Sequence, residues 1–246
     1  RGYLVRYEDA SPSKAFAGNL NNGTVTVPLT YGSAGTYQHY NLVGNPYPSP
    51  IDWNAASGWT RTALVVSAGG YDMSIWNDEA GNYGSFNSAG TSGTNGTSRY
   101  IPVGQGFMVE AATAGDLVMT NNVRAHGSQE WLKDAEAVQD ILRLRAGTGL
   151  SGYFDEVVVE FGHSTADGGA MKLFSFYETA PSLWTVKEQK SYAVDFRGTA
   201  GPDMVRLNFS AGVQGNYTLT ATQVESFSPA TVIMLEDTRD GKTQDL

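Results

Sequence analysis

Cysteine is absent from these 246 residues. That excludes disulfide staples, thiolate nucleophiles and cysteine-ligated zinc at once. Charge is scarce, at 17% of residues. No apolar run reaches the roughly 18–20 residues of a membrane-spanning helix, so membrane insertion is not expected. Basic residues are outnumbered, 16 Lys and Arg against 25 Asp and Glu, for a formal charge of −9. A chain of that sign repels phosphate backbones, so nucleic acid is not expected as a partner. Long stretches of helical period are missing as well, which argues against helical bundles.

Catalytic signatures are equally thin. His39, His126 and His163 have no helical i, i+4 partner, and no His-Glu-x-x-His pattern surrounds them. Zinc would therefore need ligands converging from distant strands. No Gly-x-Ser-x-Gly elbow occurs. Gly104-Gln105-Gly106 precedes a strand-like run rather than a helix and reads as a tight turn or bulge. The chain is not expected to be an enzyme.

What is abundant is turn chemistry, with 29 Gly, and tyrosine, with 13. Asn22-Gly23 predicts a hairpin between residues 16–20 and 24–29, because the favoured two-residue turn needs positive φ at both positions. Pro46, Pro48 and Pro50 forbid a helix and force an extended path. Residues 51–59 are read as one short helical turn capped by Asp52. Residues 71–76 alternate as a strand, 77–82 turn and 83–86 return. The Gly/Ser/Thr/Asn segment 87–98 reads as a mobile loop. Further strands are expected near 106–110, 117–120, 141–145, 155–161, 191–196, 204–209, 215–221 and 231–237.

A more charged stretch at 128–140 marks the expected domain boundary. The fold class is all-β, two consecutive β-sandwich domains of jelly-roll or immunoglobulin-like type, over 1–130 and 137–246. The opening run Arg1-Gly2-Tyr3-Leu4-Val5-Arg6-Tyr7 alternates as a strand. The closing residues read as strand, Asp240-Gly241 turn and the start of a returning strand. The sequence is thus expected to be a piece of a longer protein.

Two ligand chemistries fit the side chains. Trp53, Trp59, Trp76 and Tyr83 lie close in sequence, and exposed rings flanked by Asn and Asp make a sugar platform. By strand alternation Trp76 shares a face with Asp72 and Ser74, which makes it the best candidate for an exposed ring. Filling a sandwich core is the competing use of such rings. Asp155, Asp237 and Asp240 are the candidate oxygen ligands for a structural Ca²⁺, which takes about six to eight hard oxygens. Solvated acidic turns are the plainer reading, and no other cofactor is expected.

Several segments resemble a pattern found in large secreted proteins of Bacteroidetes, just before the C-terminal sorting domain of the type IX secretion system. They are Asn41-Leu42-Val43-Gly44-Asn45-Pro46-Tyr47-Pro48-Ser49-Pro50-Ile51-Asp52-Trp53, the run 101–109, the run 120–126, Asp155-Glu156-Val157-Val158-Val159, Lys172-Leu173-Phe174 with 180–184, and 235–246. The resemblance implies a non-catalytic module of a secreted or outer cell-surface protein, supporting adhesion, spacing or export. The partners it implies are surface or matrix components, glycans among them. Two alternatives stay open: a carbohydrate-binding module of a larger secreted enzyme, and an extracellular subunit that self-assembles by strand addition at open edges.

Overall fold

The computed structural model describes residues 18–32, 35, 37–125, 140–163, 168–198 and 204–246. The expected strand at 1–7, His126 and all of the expected boundary segment except Asp140 lie outside them. The described chain is all-β, with several sheets and two short 3-10 turns at Asn121–Val123 and Val224–Ser226.

Residues 18–125 build one apolar core from short strands. Val25–Leu29 alternates so that Val27 and Leu29 point inward. It pairs with Gly115–Met119, not with residues 16–20, so the hairpin expected at Asn22-Gly23 is not formed from the described residues. Pro28 sits within this strand, opposite Asp116. It is tolerated because the strand is the edge of its three-stranded sheet, where a missing N–H costs no ladder bond. A second sheet contains Tyr40–Gly44, Gly106–Glu110, Gly70–Asn77 and Val66–Ser67, with Asn82–Asn87 returning along Gly70–Asn77. Val27, Trp53, Met73, Phe86, Phe107 and Leu117 close the core between these sheets.

The proline segment is fastened by its polar neighbours. The Asn45 amide donates to the carbonyls of Ser49, Ile101 and Pro102. The Tyr47 hydroxyl sits between the carbonyls of Gly23 and Met119, at 2.7 and 2.9 Å. Ile51–Asp52 and Trp59–Thr60 are strand fragments instead of the expected helical turn. Asp52 accepts from the Asn54 N–H and pairs with Arg99, which fixes a turn and not a helix start.

Seven strands between Ile141 and Thr222 form one sheet. Phe154–Glu160 runs antiparallel to Ile141–Gly147 and parallel to Lys190–Phe196. Ile141, Val158, Val194 and Phe196 cluster together with Ala68 from the first part of the chain packed on them. Leu144, Ala146, Val157 and Leu183 form a second cluster. Near it, a groove of about 450 Å³ runs beneath the terminal hairpin of Met234–Asp237 and Lys242–Asp245. Gly241, at φ +65, makes the Asp-Gly turn of that hairpin as its sequence predicts.

Candidate functional site

The hairpin Gly70–Asn77/Asn82–Asn87 has two faces. Met73 joins the core, and Tyr71 and Ile75 pack against it. Asp72, Ser74 and Trp76 lie on the other face by alternation. That polar face does not meet water alone; much of it meets the later sheet. The Met171 N–H donates to Asp72 Oδ2 at 3.0 Å, while the Asn87 amide donates to Oδ1 at 2.6 Å. Ser67 Oγ donates to the Gly169 carbonyl at 2.7 Å. The Asn82 amide, fully buried, donates to the carbonyls of Phe154 and Pro181 at 2.8 and 3.0 Å.

Residues 87–98 complete this interlock, in contrast to the mobile loop the composition predicts. Gly90, Gly93, Thr94, Asn95 and Thr97 are buried. The carboxylate of Glu160 accepts from the Thr91 N–H and hydroxyl and from the Ser92 N–H. Glu156 Oε2 accepts from the Asn95 N–H at 2.7 Å and pairs with Arg143, whose guanidinium also donates to the Gly93 carbonyl. Glycine is required where the backbone lies against a neighbouring side chain. A Cβ on Gly90 would stand 2.5 Å from Cζ of Phe196, and one on Gly84 would stand 2.1 Å from Oγ1 of Thr97. Bonds to charged acceptors of this kind contribute about 1.5–3 kcal/mol each.

Burial pushes the Asp72 carboxyl up to about 7, against the pull of the Met171 and Asn87 donors, and the charge of Glu110 adds to the rise. Glu110 is raised by burial too, and Tyr40 is raised by burial and by Glu110 beside it.

The aromatic candidates fall into two separate clusters. Trp53 is fully buried, donates to the Tyr71 carbonyl at 2.8 Å, and offers no ring face to a sugar. Trp59 packs edge-on against it, with its N–H on the Asp52 carbonyl. The guanidinium of Arg61 lies 4.8 Å over Trp53 and 4.5 Å over Tyr71, so these rings hold a cation of the protein itself. Trp76 and Tyr83 belong to the other cluster. Phe176, 50% exposed, stacks on Trp76 at 4.1 Å, Tyr177 meets Trp76 edge-on, and Tyr153 lies 5.5 Å from Tyr177. Trp76 is therefore half-buried, with Phe176 as its outer ring. The Tyr177 hydroxyl lies 3.4 Å from Asp78. Sequence reasoning missed Phe176 and Tyr177; the aromatic run 174–177, outside any strand, was the available signal.

The calcium candidates are not brought together. Asp155 is fully buried, and its oxygens are taken by the Asn95 amide, the N–H groups of Glu156 and Leu183, and Lys172. Asp237 and Asp240 stand at the exposed hairpin tip among Arg239 and Lys242. Among the described residues no three His, Asp or Glu side chains converge on a point. His39 stacks on Tyr31, and His163 stacks on Phe196 with Nε2 3.2 Å from Glu160. Gly-x-Gly-x-x-Gly and Gly-Lys-Thr, which the reading of the sequence took to be absent, both occur, as Gly147-Thr148-Gly149-Leu150-Ser151-Gly152 and Gly241-Lys242-Thr243. Both join strand to strand, with no helix start to hold a phosphate.

A protein-family model described as Domain of unknown function (DUF8693) matches residues 1–246. No curated protein and no solved structure matches the chain.

Proposed function

The chain belongs to the DUF8693 family, and from its geometry we propose that it is a non-catalytic β-module of a secreted or outer cell-surface protein, a stiff spacer that supports adhesion, display or export. In this reading the two parts of the chain are consecutive sandwich-type units. The observation that carries it is the buried carboxylate interlock of residues 87–98 with Glu156 and Glu160, which holds the parts in one orientation. A spacer needs such a joint more than it needs a cleft. Protease shaving of intact source cells tests the location. Loss of the intact chain before lysis supports the reading, and a chain protected until lysis overturns it.

A second reading is favoured by one feature, the outward ring of Phe176 stacked on Trp76 beside Tyr177 and Asp78. Flat, partly exposed rings next to a carboxylate suit the CH faces and hydroxyls of a sugar. Affinity electrophoresis on a polysaccharide panel is expected to show retardation that Phe176→Ala removes. Unretarded migration on every glycan would sink this second reading and leave the first standing.

A further inference from the structure

Lys172 and Asp155 form an ion pair in which both side chains have no solvent exposure. Their surroundings are unusual for a salt bridge. An ammonium carries three donors, yet among the described residues Lys172 Nζ meets one acceptor, Asp155 Oδ2. The carboxyl is the reverse, crowded with donors. Oδ1 accepts from the Asn95 amide at 2.9 Å and from the Glu156 N–H at 3.0 Å, and Oδ2 accepts from the Leu183 N–H at 2.7 Å as well as from Lys172.

We propose that this pair is the site of an intramolecular amide cross-link, formed between the Lys172 side-chain nitrogen and the Asp155 side-chain carbon. The first step of the proposed reaction, in this solvent-shielded pair, is transfer of one proton from Nζ to Oδ2, which gives an amine against a carboxylic acid. Nζ then attacks Cγ, and the Cγ–Oδ1 double bond opens onto Oδ1. The Asn95 and Glu156 donors stand there as an oxyanion hole. As the carbonyl reforms, the Cγ–Oδ2 bond breaks. Oδ2 leaves as water, carrying the proton it received and a second one from Nζ. The balance is one ammonium and one carboxylate consumed, one secondary amide and one water produced, with no oxidant or other co-reactant. Fixed proximity supplies the effective concentration, and exclusion of solvent opposes the reverse hydrolysis. The product also removes the unmatched donors, since a secondary amide keeps a single N–H.

The test is the intact mass of the denatured full chain together with a tryptic map. The expected mass lies one water below that of the sequence. Residues 146–187 are expected as a single peptide, also one water short, uncut after Lys172, because trypsin does not cleave at an acylated lysine. A full mass with normal cleavage after Lys172 overturns the proposal and leaves an ion pair only. A water deficit that coexists with cleavage after Lys172, or that persists in Lys172→Met, points to dehydration at Asp155 alone and overturns it equally. The wild-type map decides the matter even if that variant does not fold.

Discussion

Residues 87–98 and the terminal hairpin at 234–245 are both polar hairpin-like segments rich in turn residues, and they end up in opposite states. The first is largely buried, with its N–H groups on Glu160 and Glu156. The second is almost wholly exposed, and its tip carboxylates Asp237 and Asp240 pair with Arg239 and Lys242. There the Arg239 N–H, backed by the charges of Arg239 and Lys242, holds Asp237 below the usual carboxylate range. The first carries no charged residue and the second carries six, yet polarity alone would leave both in water. What separates them is a facing surface that carries complementary groups at the right spacing. A polar loop becomes part of an interior when its donors find carboxylates that are themselves withdrawn from water.

Breaking the buried side of this comparison should cost most. Glu160→Ala leaves the Thr91 and Ser92 donors and His163 without their acceptor, and is expected to lower stability by about 3 kcal/mol in urea unfolding. A loss too small to measure would mean that water replaces the carboxylate freely. Gly90→Ala drives a methyl into the Phe196 ring and should cost about 2 kcal/mol, with no change of charge. An unchanged urea midpoint for this variant would show that the loop is not held against the Phe196 ring.

Asp72 sharpens the comparison through pH. Its folded value of about 7 stands above the ordinary 3.8. The native state therefore holds this proton more tightly than the unfolded state does. The resulting stabilisation is complete below about pH 4 and is lost as pH rises through about 7. The expected loss is on the order of 2 kcal/mol, allowing for solvent access to a half-buried carboxyl. Asp72→Asn should flatten that part of the stability curve, and an unaltered slope would assign it to other groups such as Glu110. At the small end, Asp240→Ala in the exposed hairpin should leave the urea midpoint where it is. A clear shift there would make the hairpin part of the cooperative unit.

Much of the fold was legible. Alternation with the polar turn 77–82 placed Gly70–Asn77 and its return at Asn82–Asn87, and Asp240-Gly241 placed the terminal hairpin. Alternation also separated Met73 from Asp72 and Trp76. It did not tell whether the polar side faces water or another polar surface, and so Trp76 was expected to stand free while Phe176 covers it. Asn22-Gly23 misled for a related reason: the turn signal was local, but the strand after it found Gly115–Met119 across the core. Asp155 read as a candidate calcium ligand at the head of a strand because its partner Lys172 shares no local pattern with it, only a place in the folded sheet.

The interlock also has a direction in time. Many of its donors lie at 67–95, and the groups these meet lie at 154–181. A chain delivered from its amino end exposes the Asp72 face and the 87–98 loop well before Glu160 or Met171 exists beside them. Until the later strands arrive, that face is an open polar template on a partly finished sheet. Closing that surface then waits for the second half of the chain.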